Sequence, residues 1–364
     1  MSKTVTSNAY YDVGKDLEAC PNAWLYVVIG GRNTGKTYGA LKHYLERKER
    51  NVFVKRTMED VDLLCAGNSL KTKNNTAEAD LSPFKPINRD LGTKIKAYKI
   101  QSGLGGFYKE GEDGAEGLPV SYLVALSAVQ KVKGFDMSDA EAIIFDEFIP
   151  QPWERINRKE GEQLMDLYKT IARDRSLRGR KELKLICLAN AVNVWNPTCE
   201  ILEITDIIAD MQTKRKETVY LEDRGIFIRM LVTSREMMEA EKETGIYKAM
   251  KDTAWGRMAF SNEFGYNDFS SVKRVALKGY RPLVEVSYKQ KTWYLWNNEN
   301  NLYLCESRGA CEESYNLDRE TDQKNFYYNW VIDLQNASME GRLLYAKYTM
   351  YDLITNYKRR FIIT

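Results

Sequence analysis

Gly30-Gly31-Arg32-Asn33-Thr34-Gly35-Lys36-Thr37 fits the spacing G-x-x-x-x-G-K-[ST] in full. The apolar run WLYVVI (24–29) precedes it and a helix-forming stretch follows, which is the strand–turn–helix context this motif requires. Glycines allow successive backbone N–H groups to turn inward around phosphate oxygens, and the helix beyond adds the positive end of its dipole. Lys36 is spaced to reach the β- and γ-phosphates, and the Thr37 hydroxyl to ligate Mg²⁺. Gly30 through Tyr38 are therefore candidate ATP-binding residues, the alternative being a glycine-rich turn that carries GKT by chance.

Asp146 and Glu147 close a second apolar run, AIIF. In a phosphate-loop ATPase an acid at that place holds Mg²⁺, and a glutamate directly after it can polarise the attacking water. Asp146 is thus a candidate metal ligand beside Thr37, and Glu147 a catalytic candidate beside Lys36. Small GTPases and kinases built on this loop do not usually carry such a pair, so it points to ATP hydrolysis coupled to mechanical work. Asn190 ends the strand-like LICLANA, which a parallel sheet would bring to the same edge, where an amide can sense the γ-phosphate or orient water.

Cations form the next set. Arg173 and Arg175, in IARDRSLRGR, are candidates for an arginine finger, and Arg175 also for a subunit interface or a nucleic-acid contact, against the reading of a solvated helix end. Lys131 and Lys133 (QKVKG) are candidates for phosphate contact, with nucleotide or with DNA. Lys358, Arg359 and Arg360 could meet a nucleic-acid backbone, although a solvated tail explains them equally simply. Tyr10 and Tyr11 could stack on adenine or pack against the sheet, and YYNW (327–330) reads more cheaply as aromatic core strands than as a base-stacking platform.

Bulk composition narrows the classes. With 364 residues the chain exceeds what one core usually holds, so two domains are expected. The formal net charge is only +3, so any nucleic-acid contact must come from a local patch. No apolar run approaches the ~18 residues needed to span a bilayer, and the start MSKTVTSNAYYD has no signal-peptide pattern, so no membrane partner and a cytosolic setting are expected. The six cysteines form no CxxC pair and read as reduced, mostly buried thiols. The single histidine, His43, lies in a helix-like stretch, which excludes histidine-dependent hydrolysis and any zinc site needing two histidines.

These side chains need a scaffold. Apolar runs at 24–29, 51–56, 141–148 and 183–191 alternate with helix-forming stretches at 36–49 and 163–175, the pattern of a largely parallel α/β sheet. KIKAYKI (94–100) and SYLVALS (121–127) read as strands flanking the turn-rich GLGGFYKEGEDGAEGLP, and 67–90 as a loop. The texture changes near 230: SREMMEAEKETGIYKAMKD (234–252) reads as a charged amphipathic helix. PLVEVSY, TWYLWNN and NLYLCES then return as strands with a hairpin turn at NEN (298–300), and GRLLYAKYTMYDLITNYKRRFI reads as helical. An ATPase domain over 1–230, a helical linker over 231–268 and a third part over 269–364 are expected.

VVIGGRNTGKTY, AIIFDEFI and LICLANAVNVWNP together resemble, in order and spacing, the DNA-packaging ATPases of small podophages that package with a ring-shaped RNA, relatives of the terminase large subunit. The likeness is dense over about 24–200, thinner over 220–265 and weak beyond; the segment 66–120 does not follow the pattern. It implies an N-terminal phosphate-loop domain of the additional-strand, catalytic-glutamate type, a helical linker, and a C-terminal RNase H-like domain without nuclease activity. It also implies ATP and Mg²⁺ as cofactors, double-stranded DNA as the cargo, and a ring, pentameric in that family, working in the host cytoplasm on the portal of a procapsid with a packaging RNA. By position Arg173 matches the family's arginine finger, Glu147 its catalytic glutamate, Asn190 its coupling residue and Lys133 a lysine near the subunit interface. A helicase-type translocase, a terminase that also cuts DNA, and an assembly protein that only binds nucleotide remain the alternatives. Glu285, Asp318, Glu320 and Asp322 form no evident two-metal constellation in the sequence.

Overall fold

The computed structural model describes residues 10–361 except 67–70, 73–74, 77–80, 113, 133, 152, 261–263 and 265–266. Contacts divide the chain into two units, one of Met1–Leu202 with Lys214–Tyr266 and one of Glu203–Thr213 with Asn267–Thr364.

The first unit opens with α1 (Val13–Ala19), β1 (Leu25–Ile29), α2 (Lys36–Glu46), β2 (Arg50–Lys55) and α3 (Met58–Ala66). A small ladder, β3 (Lys71–Thr72) with β4 (Asn75–Thr76), leads to α4 (Lys85–Leu91), so the loop expected over 67–90 ends in a helix. Next come β5 (Ile95–Gln101), β6 (Leu104–Gly111), β7 (Gly114–Ala125), α5 (Val129–Val132), β8 (Ala140–Asp146), α6 (Glu160–Ile171), β9 (Lys184–Ala189) and α7 (Pro197–Ile201). After α8 (Thr205–Lys214), most of which belongs to the second unit, β10 (Thr218–Leu221) and β11 (Ile226–Met230) complete the sheet.

That sheet is nine-stranded in the order β10-β11-β1-β9-β8-β2-β7-β6-β5. The pairs from β11 through β7 are parallel, whereas β10, β6 and β5 are antiparallel at the two edges. Every residue of β1 is buried, as a central parallel strand with both faces covered requires. Strand β9 inserts between β1 and β8, so the strand feeding the glycine loop and the strand ending in Asp146 are not neighbours. The glycine-rich stretch after Leu104, read from sequence as turns, is mostly the hairpin of β6 and β7. Pairing with a neighbour decides such residues more than their weak strand preference does.

Glycine matters at Gly39, where α2 crosses the segment before α1. A Cβ there would stand 2.1 Å from the Tyr11 carbonyl oxygen. Gly39→Ala should therefore destabilise the fold by about 1–3 kcal/mol, the usual scale of overpacking, seen as a lower thermal midpoint. An unchanged midpoint would show that the segment simply lifts away.

The charged stretch after 234 breaks into α9 (Arg235–Lys242), α10 (Gly245–Met250) and α11 (Ala254–Phe260), because Ser234 and Thr244 each cap a new helix start with their hydroxyls. The second unit has a five-stranded mixed sheet made of β12 (Arg281–Tyr288), β13 (Lys291–Asn297), β14 (Leu302–Cys305), β15 (Glu313–Asn316) and β16 (Leu343–Tyr345). Its order is β15-β12-β13-β14-β16. Helix α12 (Glu320–Phe326) passes through a π-helical turn at Tyr327–Val331 into α13 (Ile332–Met339), and α14 (Tyr348–Thr355) and α15 (Tyr357–Arg360) follow β16. Thus YYNW lies on a helix, and LLY, expected to be helical, is an edge strand. The core here is built from Val284, Leu295, Phe326, Leu353 and Tyr357, among others.

Candidate functional site

Ile29 pairs with Ala189 across β1 and β9, and Leu188 pairs with Asp146 across β9 and β8. Val54 pairs with Phe145 across β2 and β8. One step further along these parallel strands, Gly30, Asn190, Glu147 and Lys55 therefore emerge together at the carboxyl edge of the sheet, where α/β proteins bind ligands. A cavity of about 300 Å³ opens there, lined by Arg32 to Tyr38, Asp146, Glu147 and Asn190.

The loop shape comes from its backbone. Asn33 and Gly35 both take left-handed conformations, with φ of 61° and 80°, and Gly35 also lies against the Tyr10 ring, where a Cβ would not fit. Gly35 is the N-cap of α2 and no side chain caps that helix. Its first-turn N–H groups are thus left to an anion. The Lys36 ammonium donates to the carbonyls of Gly30 (3.1 Å) and Gly31 (2.7 Å), to Thr34 Oγ1 (3.2 Å) and to Asn190 Oδ1 (3.2 Å). Burial lowers its pKa to about 8, against the opposing pull of Asp146 and Glu147. Thr37 Oγ1 donates to Asp146 Oδ1 at 2.7 Å, which joins the two candidate metal ligands directly.

A pair of cations at this edge was not singled out in the sequence. Lys55 Nζ lies 2.9 Å from Asp146 Oδ2 and 3.4 Å from Glu147 Oε2. Burial works against its charge, but Asp146 and Glu147 outweigh that and raise its pKa. Arg56 Nη2 donates to the carbonyls of Glu147 (2.8 Å) and Phe148 (3.1 Å), while Nε and Nη1 each lie 2.7 Å from Glu160 and Glu154. The signal was present in NVFVKR, a strand ending in two cations much as AIIFDE ends in two acids. Only the sheet order makes those strands neighbours.

The other candidates separate. Tyr10 is exposed, within 5.8 Å of the Tyr38 ring, beside the loop; Tyr11 turns inward and its hydroxyl donates to Asp16. Tyr38 donates to Asp90. Arg173 is exposed on the turn after α6 and does not line the cavity of its own chain. Arg175, expected at an interface or nucleic acid, is instead 3% exposed: it donates to the carbonyls of Ser138, Ala140 and Lys181 and pairs with Glu141 at 2.5 Å. Its guanidinium fastens a turn, because a buried arginine is tolerated only when its donors are spent. Lys131 is exposed, 3.6 Å from Met58 Sδ, and Lys133 lies outside the described residues.

At the C-terminal end the stretch expected to be helical closes in α15, which carries Lys358, Arg359 and Arg360. Arg360 reaches back to the fully buried Asp352 at 2.8 Å, so it serves the fold and not a nucleic acid. Lys358 sits over the Tyr327 ring and Arg359 is exposed.

The lowered pKa of Lys36 gives nucleotide binding a measurable pH signature. A phosphate chain beside the ammonium would raise its pKa above about 8, so nucleotide binding takes up a proton in that range. Affinity for a fluorescent ATP analogue should be greatest below pH 8 and fall towards pH 9.5, by at most about tenfold per unit. The slope should vanish in Lys36→Ala; a flat wild-type profile would contradict the assignment.

A family model described as podovirus DNA encapsidation protein (Gp16) matches residues 106–362. A DNA packaging protein of Bacillus phage B103 is 24% identical over 333 residues, covering 89% of this chain and 86% of that protein. Among solved structures, the bacteriophage Phi-29 viral genome packaging motor assembly contains a similar chain with a TM-score of 0.64 and 18% identity, covering 97% of this chain and 99% of that one. The Phi-28 gp11 DNA packaging motor is similar with a TM-score of 0.59 and 18% identity, over 98% and 99% of the two chains.

Proposed function

This chain belongs to the podovirus DNA encapsidation protein family, and on that premise we propose that it is the ATP-hydrolysing subunit of a motor that drives double-stranded DNA into a phage procapsid. The observation that carries hydrolysis is the meeting of the Lys36 loop, the Thr37–Asp146 bond and Glu147 at one cavity. Lys36 and the uncapped first turn of α2 bind the phosphates. Thr37 and Asp146 would hold Mg²⁺, which neutralises charge on the phosphate oxygens when bound. Their hydroxyl and carboxylate oxygens are the hard donors that such a cation takes. Glu147 holds the attacking water and accepts its proton, Lys55 fixes the two acids, and Asn190 reaches the phosphate end through Lys36.

Arg173, exposed and away from its own cavity, acts on the site of a neighbouring subunit, which makes the working unit a ring, five-membered as the resemblance suggests. The ring would sit transiently on the portal of the procapsid in the host cytoplasm, with a packaging RNA as a further partner. No helix among the described residues is long and apolar enough to cross a membrane. We assign residues 1–230 to the ATPase domain, 231–268 to the linker and 269–364 to contact with DNA or portal, although Glu203–Thr213 pack with the second unit and the linker as far as Tyr266 packs with the first. No nuclease activity is part of this reading; Asp318 accepts from the Lys289 N–H and Asp322 from the Asn316 N–H in the loops of that last part.

The test is packaging itself. The chain, mixed with procapsids carrying their portal, ATP and duplex DNA, should protect the DNA from nuclease in a manner lost in Lys36→Ala. Unwinding of a forked duplex without procapsids would instead identify a helicase. Metal-dependent cleavage that disappears on replacing Asp318 or Glu285 would identify an active nuclease.

A further inference from the structure

We infer that Arg56 is a positioning residue for Glu147, acting through the backbone and not through the carboxylate. The inference rests on the hydrolytic reading of Glu147 given above. Glu147 takes a left-handed conformation, φ 57°, which a residue with a Cβ rarely adopts unless its surroundings impose it. That conformation turns its carboxylate into the cavity just where the chain leaves β8. Two contacts hold the turn. The Phe148 N–H donates to the Leu188 carbonyl at 3.1 Å, tying the far side to β9. On the near side one Arg56 nitrogen, Nη2, donates to both the Glu147 and Phe148 carbonyls.

The guanidinium is itself fixed. Its Nε lies 2.7 Å from Glu160 Oε2, and Glu160, in the first turn of α6, is 2% exposed. Burial raises the Glu160 pKa, and Arg56 opposes that shift. Nη1 meets Glu154 at 2.7 Å on the loop that follows Glu147. Arg56 thus joins the end of β2, the turn at Glu147 and the start of α6. The planar fork of arginine suits this, since it spends donors in fixed directions on separate acceptors; a lysine ammonium cannot reproduce that geometry.

Replacing Arg56 alone would strand the buried Glu160, so the informative variant changes both, Arg56→Met with Glu160→Leu, which substitutes an apolar pair for the ion pair. It is compared with wild type, with Glu147→Gln, and with the triple combination, for ATP affinity, thermal midpoint and single-turnover hydrolysis. A turn that relaxes by about 1 Å should lower kcat by roughly 10²-fold. ATP affinity should stay within about threefold, because the phosphate loop is untouched. In the Glu147→Gln background the same pair of changes should have little further effect, since both act through one group. A folded pair variant with wild-type kcat overturns the inference, as does an equal loss in both backgrounds. If the pair variant does not fold, Arg56→Lys takes its place, with a smaller loss of kcat and the same lack of additivity expected. Glu147→Gln hydrolysing at the wild-type rate would instead bring down the assignment of Glu147, whatever Arg56 does.

Discussion

Glu147→Gln should lower steady-state ATP hydrolysis by about 10³-fold, the middle of the range for removing a general base, while ATP affinity stays within about threefold of wild type. Gln keeps the volume and hydrogen-bonding reach of Glu but cannot accept a proton from water. The side chain is 57% exposed, against 12% for Asp146, and its ion pair is with Lys55, so its replacement leaves the hydrogen bonds of Lys36 and Thr37 in place. Lys55 loses one of its two carboxylate partners in this variant but keeps Asp146 at 2.9 Å. The Asp146–Thr37 bond is untouched, so metal-dependent binding should survive. Turnover within threefold of wild type would leave a nucleotide-binding assembly protein as the better description.

Arg173→Ala should abolish hydrolysis by the assembled protein to a similar or greater extent, about 10³-fold or more, as arginine fingers do. The expectation has a structural basis beyond motif position. Arg175 and Arg180 both bind Glu141, and Arg175 also donates to carbonyls before and within β8. The turn that carries Arg173 is therefore pinned to the first unit, and Asp174 next to it adopts φ 58°. Arg173 is left pointing outward from a rigid base, which is what an interaction in trans requires. A mixture of Arg173→Ala with Lys36→Ala subunits should recover activity. At interfaces where the first supplies an intact loop and the second an intact arginine, a complete site forms. No recovery, with assembly of the mixture verified, would place the arginine's role within its own subunit or outside catalysis.

Much of this site was legible without coordinates because its parts are local. The glycine loop needs only a strand before and a helix after, and both follow from hydrophobic runs and helix formers within a few residues. Asp146, Glu147 and Asn190 stand at the ends of apolar runs, and a parallel sheet brings such ends to one edge. Several readings failed for a shared reason. The β6–β7 hairpin looked like turns, YYNW like strand, LLY like helix, and Arg175 and Arg360 like surface cations, and each was decided by what packs beside it.

The residue order by itself thus predicted a phosphate-binding loop, its place and the acids near it, because those features are written in short-range spacing. Only the tertiary structure decided which strands are neighbours. It placed β9 between β1 and β8, and so put Asn190 against Lys36. It placed β2 beside β8, which brought Lys55 to both acids and Arg56 to the Glu147 backbone. It also sent Arg175 and Arg360 inward. Strand order and burial arise from the joint packing of hydrophobic faces over the whole sheet, and no short window of sequence carries that information.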